Sequence, residues 1–158
     1  MTLDECVRVF AEHLTTGIVL TDAALDDPGP VIRYANPAFC RMTGYAAEEL
    51  LGRSPRMLQG RDTQARTVRL LSRSLRGGVR FHGVLANYRR SGEAYFCEID
   101  VRPIFGPHGM LDSFIAFERE VVRPRGRPRG TGLGRFRPVA AQDAIFDSKI
   151  DSLSPFSD

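Results

Sequence analysis

The sequence predicts an α+β domain: a five-stranded antiparallel sheet with short helices over one face. An amphipathic helix precedes it and an Arg/Pro/Gly-rich tail follows. Three observations carry this. Two short apolar segments near the start flank a turn rich in Pro and Gly. Capped helical patterns occupy the middle of the chain. Three longer segments with β-type composition, joined by glycine turns, close it.

Leu3, Val7, Phe10 and Leu14 recur at helical spacing between charged residues, which predicts an N-terminal helix over 1–15, either a lid on the domain or a dimer contact. Residues 17–21 and 31–35 read as strands, and Asp26-Asp27-Pro28-Gly29-Pro30 between them makes a hairpin. Asn36-Pro37 starts a helix, asparagine as cap and proline at the first helical position. Thr43-Gly44-Tyr45 ends it, and 46–51 form a second short helix stopped by Gly52. Asp62-Thr63 is the expected cap of a longer helix with Val68, Leu71 and Leu75 on one face, ended by Gly77-Gly78. Strands over 79–88, 94–105 and 110–121 form an antiparallel meander. Helices inserted at one point of a five-stranded sheet most simply cover one face, so a pocket is expected between them and the sheet. From 122 to 138 the apolar periodicity stops, which predicts an extended or disordered linker, and 139–153 read as a weak helix. The expected organisation is therefore 1–15 helix, 16–121 domain, 122–158 basic tail.

Bulk properties narrow the function classes. The three cysteines, Cys6, Cys40 and Cys97, are widely spaced and odd in number, which argues against a disulfide framework and a zinc site. No apolar run reaches the length of a membrane span, and Met1-Thr2-Leu3-Asp4-Glu5 is unlike a secretory signal, so no membrane partner and a cytoplasmic location are the expectations. Residues 1–121 carry equal numbers of basic and acidic side chains. The whole net charge of +3 falls after them, where seven basic residues oppose four acidic ones. His13, His82 and His108 have no nucleophile or acid at a telling spacing, so an enzyme is not expected.

The stretch Gly52-Arg53-Ser54-Pro55-Arg56-Met57-Leu58-Gln59-Gly60 mixes polar and apolar residues in a way that suits the wall of a pocket for an amphipathic ligand. Together with Tyr34-Ala35-Asn36-Pro37-Ala38-Phe39, Thr43-Gly44-Tyr45 and Asn87-Tyr88-Arg89-Arg90-Ser91-Gly92, it resembles a PAS domain, and most closely the light-oxygen-voltage (LOV) flavin-binding group, over about 17–121. The LOV pattern in this loop is G-R/K-N-C-R-F-L-Q. Its cysteine, which forms a light-driven bond to the flavin, falls at Pro55, and its asparagine at Ser54. Proline has no nucleophile, so the adduct photocycle cannot run there.

The resemblance implies that Arg56 pairs with the flavin phosphate, Gln59 lies along the ribityl chain and Asn87 reads the pyrimidine edge. It places Cys97 where the family has a second edge-reading asparagine, and Glu118 where it has the glutamine that rotates on excitation. The second phosphate-pairing arginine falls at Ser72, with Arg69 and Arg73 near in sequence. The expected site is thus Ser54, Pro55, Arg56, Gln59, Asn87, Cys97 and Glu118, for FMN, another small molecule or none. The expected function is a sensory PAS module that regulates a partner through ligand occupancy or dimerisation, without covalent flavin chemistry. The partner is a second copy or a separate signalling protein. The alternative is a cysteine-less LOV flavoprotein sensing blue light or redox state through flavin reduction. A further alternative comes from the tail: Pro124-Arg125-Gly126-Arg127-Pro128 resembles an AT-hook core, whose Arg125 and Arg127 would enter the minor groove of A·T-rich DNA. A solvated basic linker accounts for the same residues.

Overall fold

The computed structural model describes residues 1–125 and 136–140. Its elements are α1 (Leu3–Ala11), β1 (Gly17–Asp22), β2 (Ile32–Ala35), α2 (Pro37–Thr43), α3 (Ala47–Leu50), a 3-10 turn (Pro55–Leu58), α4 (Ala65–Arg76), β3 (Phe81–Tyr88), β4 (Ala94–Phe105), β5 (Leu111–Val122) and β6 (Arg137–Pro138). The five predicted strands form an antiparallel sheet in the order β2-β1-β5-β4-β3. The short β6 adds to the end of β5, pairing Val121 with Pro138 and Val122 with Arg137. The segment expected to be an extended or disordered linker therefore contributes a sixth strand. The rest of the predicted linker, 126–135, and of the predicted weak helix, 141–153, lies outside the described residues.

β1 sits between β2 and β5 and is buried on both faces. Because side chains alternate along a strand, Val19 points into a core with Phe39, Leu50, Leu58 and Phe114. Ile18 and Leu20 point the other way, into a smaller cluster with Val7, Ala11 and Tyr34. The helices α2 to α4 belong to the first layer and α1 to the second. α1 is a lid on the outer face, held also by a Thr2–Glu5 capping box and an Asp4–Arg33 ion pair. Its buried stripe is centred on Val7 and Ala11. Phe10, assigned to that stripe from the sequence, is 54% exposed at its rim, and the helix stops before Leu14.

Asn36 caps α2 as predicted, its Oδ1 accepting from Phe39 N at 2.9 Å. It also joins three elements: Oδ1 accepts from Ile18 N at 2.8 Å, and Nδ2 donates to the carbonyls of Ala11 and Thr16 at 3.0 and 2.9 Å. Gly44 closes α2 at a φ of 78°, a left-handed conformation that favours glycine. The helix α4 is capped differently from the prediction. Gln64 is its N-cap residue, without a side-chain bond. Thr63 instead donates its hydroxyl to Ala86 O at 2.5 Å and accepts from Gly60 N, and Asp62 exchanges hydrogen bonds with the Tyr88 hydroxyl. Both side chains are drawn to β3 because its carbonyl and phenol lie within reach. A Cβ at Gly60 would collide with the Tyr88 ring, so this glycine sets how closely the loop approaches β3.

Candidate functional site

The stretch after α3 is fastened to β2, with Ile32 N donating to Arg53 O at 2.9 Å and Gly52 N to Ile32 O at 3.0 Å. The chain then folds into the 3-10 turn, where the sequence pattern predicts a loop. Pro55 begins it and Ser54 Oγ accepts from Arg56 N. With the turn fixed at one end to β2 and at the other to β3, it stands over the inner face of the sheet beside α4. Between them is a cavity of about 410 Å³. Its size is that of a small-molecule site.

The cavity walls are chiefly apolar, including Val19, Leu58, Val68, Leu71, Leu85, Ile99, Val101 and Phe114. Six of the seven residues named from the sequence line it: Ser54, Pro55, Arg56 and Gln59 from the turn, Asn87 from β3 and Glu118 from β5. Arg69 and Ser72 of α4 also line it, whereas Arg73 does not. Arg56 is exposed, with one guanidinium N–H donated to Leu25 O at 3.0 Å. Arg69 is exposed as well. The cations thus mark the solvent side, while Asn87 and Glu118 are 5% and 6% exposed at the buried side.

Cys97 is fully buried and does not line the cavity. It stands behind Glu118, its Sγ donating to Glu118 Oε2 at 3.2 Å. Burial and the adjacent carboxyl push its thiol pKa well up, so it is a neutral donor and not a nucleophile. Burial raises Glu118 to about 7, against the lesser, opposing effect of the Cys97 hydrogen bond. No cation is among the causes of that shift.

One residue at this end was missed: Tyr95, opposite Asn87 in the β3–β4 ladder. The signal was available, since Tyr95 shares the inward alternation of Cys97 and Ile99. Burial, with Cys97 and Glu118 beside it, pushes its phenol pKa far up, while Asn87 and Arg89 act in the opposite direction. Asn87 is near enough to be felt, but the contact falls short of hydrogen-bond geometry. The Tyr95 hydroxyl is buried without a partner among the described residues. Arg89 lies over its ring at 4.3 Å and donates to Glu120 at 2.6 Å and to Met42 O at 2.7 Å. An unpaired buried hydroxyl costs about 1–3 kcal/mol. Tyr95→Phe is therefore expected to stabilise the ligand-free chain by about 1 kcal/mol in urea denaturation.

Other candidate chemistry lies elsewhere. His82 Nε2 meets Glu98 Oε1 at 2.9 Å, and Arg119 Nε donates to Glu98 Oε2 at 2.6 Å, on the face of the sheet away from the cavity. His82 and Arg119 hold Glu98 below the ordinary carboxylate range despite its burial. His13 and His108 are exposed. Among the described residues no cluster of three or more metal-ligating side chains occurs, and no helix is long and apolar enough to cross a membrane. Of the two tail arginines, Arg125 is exposed and Arg127 lies outside the described residues.

Residues 15–123 match the PAS domain family. The chain is 36% identical over 112 residues to a nitrogen fixation regulatory protein of Klebsiella oxytoca, covering 71% of this chain and 22% of that protein. It is 32% identical over 115 residues to a blue-light-activated histidine kinase of Brucella canis, covering 73% and 23%. The chain thus spans less than a quarter of the length of these curated relatives. Among solved structures it is similar to a light-oxygen-voltage domain from work with a flavin analogue, at a TM-score of 0.65 and 26% identity, covering 75% of this chain and 83% of that one. An RNA-binding light-oxygen-voltage receptor gives a TM-score of 0.67 at 28% identity, covering 75% and 33%. By fold, by family match and by its structural neighbours, the chain belongs to the PAS domain family and is LOV-like within it.

Proposed function

We propose that this chain is a non-enzymatic sensory module whose cavity holds a flavin-class ligand without a covalent bond, and that occupancy sets its interaction with a signalling partner or a second copy. One observation carries the reading: a preformed apolar cavity of about 410 Å³ with arginines on its solvent side and an amide and a carboxyl at its buried side. Such a gradient suits a planar ring with a polar far edge and an anionic tail. The residues present fit that group. Asn87 would face the ring's buried edge, Gln59 the linking chain, and Arg56 with Arg69 the anion, where guanidinium groups bind well. A bound flavin supplies blue-light absorption and redox chemistry.

The rest falls to the protein. The apolar walls exclude water, and Pro55 offers no atom for covalent attachment. Arg89 links Glu120, two residues beyond Glu118 on β5, to the end of α2, so β5 and the helical layer move together or break this tie. Ligand must bind the two states of that link unequally for a signal to result.

Titration of the purified chain with FMN, followed by quenching of flavin fluorescence, is expected to saturate at one equivalent. Asn87→Leu should weaken binding about tenfold, one lost buried hydrogen bond being worth about 1–1.5 kcal/mol. Absence of saturable binding would leave only an interaction module with an empty pocket.

A further inference from the structure

Glu118 is the feature of the cavity that a passive binding pocket does not need. Its side chain is buried, the residue being 6% exposed, and among the described residues its carboxyl takes one hydrogen bond, from the Cys97 thiol to Oε2. The groups facing it do not neutralise it. From β4 they are that thiol and the Tyr95 phenol, both held in their neutral forms. From its own strand it is Glu120, which is paired with Arg89. β1 presents Gly17 and Val19, and α2 presents Met42, none of which titrates. The arginines Arg56 and Arg69 line the cavity from the turn and α4, on its exposed side.

A carboxylate in this place depends on water in the cavity for its remaining solvation. A flat, largely apolar ligand displaces that water and brings no cation. The cost of leaving the carboxylate charged then exceeds the cost of taking a proton from solution. Once protonated, the group changes from an acceptor to a donor.

We propose that filling the cavity draws one proton from solvent onto Glu118, whose hydroxyl then donates to an acceptor atom on the buried edge of the ligand. This inference rests on the cavity being a flavin-class site and adds its regulation: occupancy and local pH are linked, each favouring the other. It also sets specificity. A ligand presenting lone pairs at its inner edge is accepted in the protonated state, and one presenting an anion there is rejected.

The test uses riboflavin and the whole chain. Riboflavin lacks the phosphate of FMN, whose second ionisation near pH 6 would obscure the result. Affinity is measured from about pH 5.5 to about pH 8.5, and calorimetry in two buffers of different ionisation enthalpy counts protons taken up. The expected result is affinity that weakens about tenfold per pH unit on the alkaline side, with uptake approaching one proton per ligand there. Glu118→Gln, which keeps an N–H donor but cannot titrate, is expected to bind with affinity independent of pH. Tight binding with no pH dependence and no proton uptake would overturn the inference while leaving the site assignment intact. The same pH slope in Glu118→Gln would overturn it too, by assigning the proton to another group. No riboflavin binding at any pH, with none of FMN, would overturn the site assignment itself.

Discussion

Asn36→Ala is expected to cost about 3–5 kcal/mol, because several buried backbone groups lose their partner at once and each orphaned group costs about 1–3 kcal/mol. The side chain is fully buried and makes four hydrogen bonds: from Ile18 N and Phe39 N, and to the carbonyls of Ala11 and Thr16. A cap alone is worth about 1 kcal/mol. The excess arises because this cap also ties the end of α1 to the start of β1. A loss of that size is a large share of an ordinary domain stability of about 5–15 kcal/mol. Asn36→Asp separates the two roles. It preserves the accepted bonds and the cap but turns an oxygen toward two carbonyl oxygens, so it too is expected to destabilise, less severely at low pH. Urea denaturation of both variants reads this directly. A cost near 1 kcal/mol for the alanine variant would show that the cap alone matters.

Glu118→Gln is expected to raise the stability of the ligand-free chain, by an amount that grows as pH rises from 4.5 to about 7. Burial lifts the folded-state pKa of Glu118 to about 7 from an ordinary value of 4.5. Between those values the folded chain holds a proton that the unfolded chain has released. Stability therefore falls as pH rises through this window and levels off above it. The full span corresponds to roughly 3 kcal/mol at the alkaline end, the gain expected for a glutamine that never ionises. Below the window the two chains should converge. Glu98 acts in the opposite sense and elsewhere. Its pKa is lowered, so its contribution is present above 4.5 and is lost on acidification. Denaturation midpoints of both chains across about pH 5 to about pH 8 test the claim, parallel curves being the contrary outcome.

These two positions show what a sequence discloses and what it withholds. Strand and helix order was legible because each element carries its own period or punctuation: the double-sided burial of 17–21, the Asn36-Pro37 start, the Gly44 stop, the two glycine turns of the meander. The pocket wall was legible because Ser54 to Gln59 sit in one short stretch, and a resemblance could be read residue by residue.

Contacts across the fold were not legible. Asn36 announces a cap, but nothing nearby in sequence announces Ala11 or Thr16. Asp62 and Thr63 have the composition of a cap and yet spend their side chains on Tyr88 and Ala86, partners more than twenty residues away. Phe10 fits the helical stripe, and only the seating of Ala11 against the sheet leaves it at the rim. Tyr95 has the pattern of any strand aromatic, because its lack of a partner among the described residues is a property of burial and not of pattern. Arg137–Pro138 lies in a segment with no strand period and pairs with β5 through its backbone.

In the function proposed above, the loop from Gly52 to Gly60 walls a flavin-class pocket that works without a covalent bond. The absorption spectrum of the chain purified in the presence of FMN tests it most directly, read before and after denaturation. Structured flavin bands in the blue that co-purify with the folded protein are expected, with complete release of free flavin on unfolding. A colourless protein that takes up no added FMN would contradict it, as would flavin that stays attached to the unfolded chain.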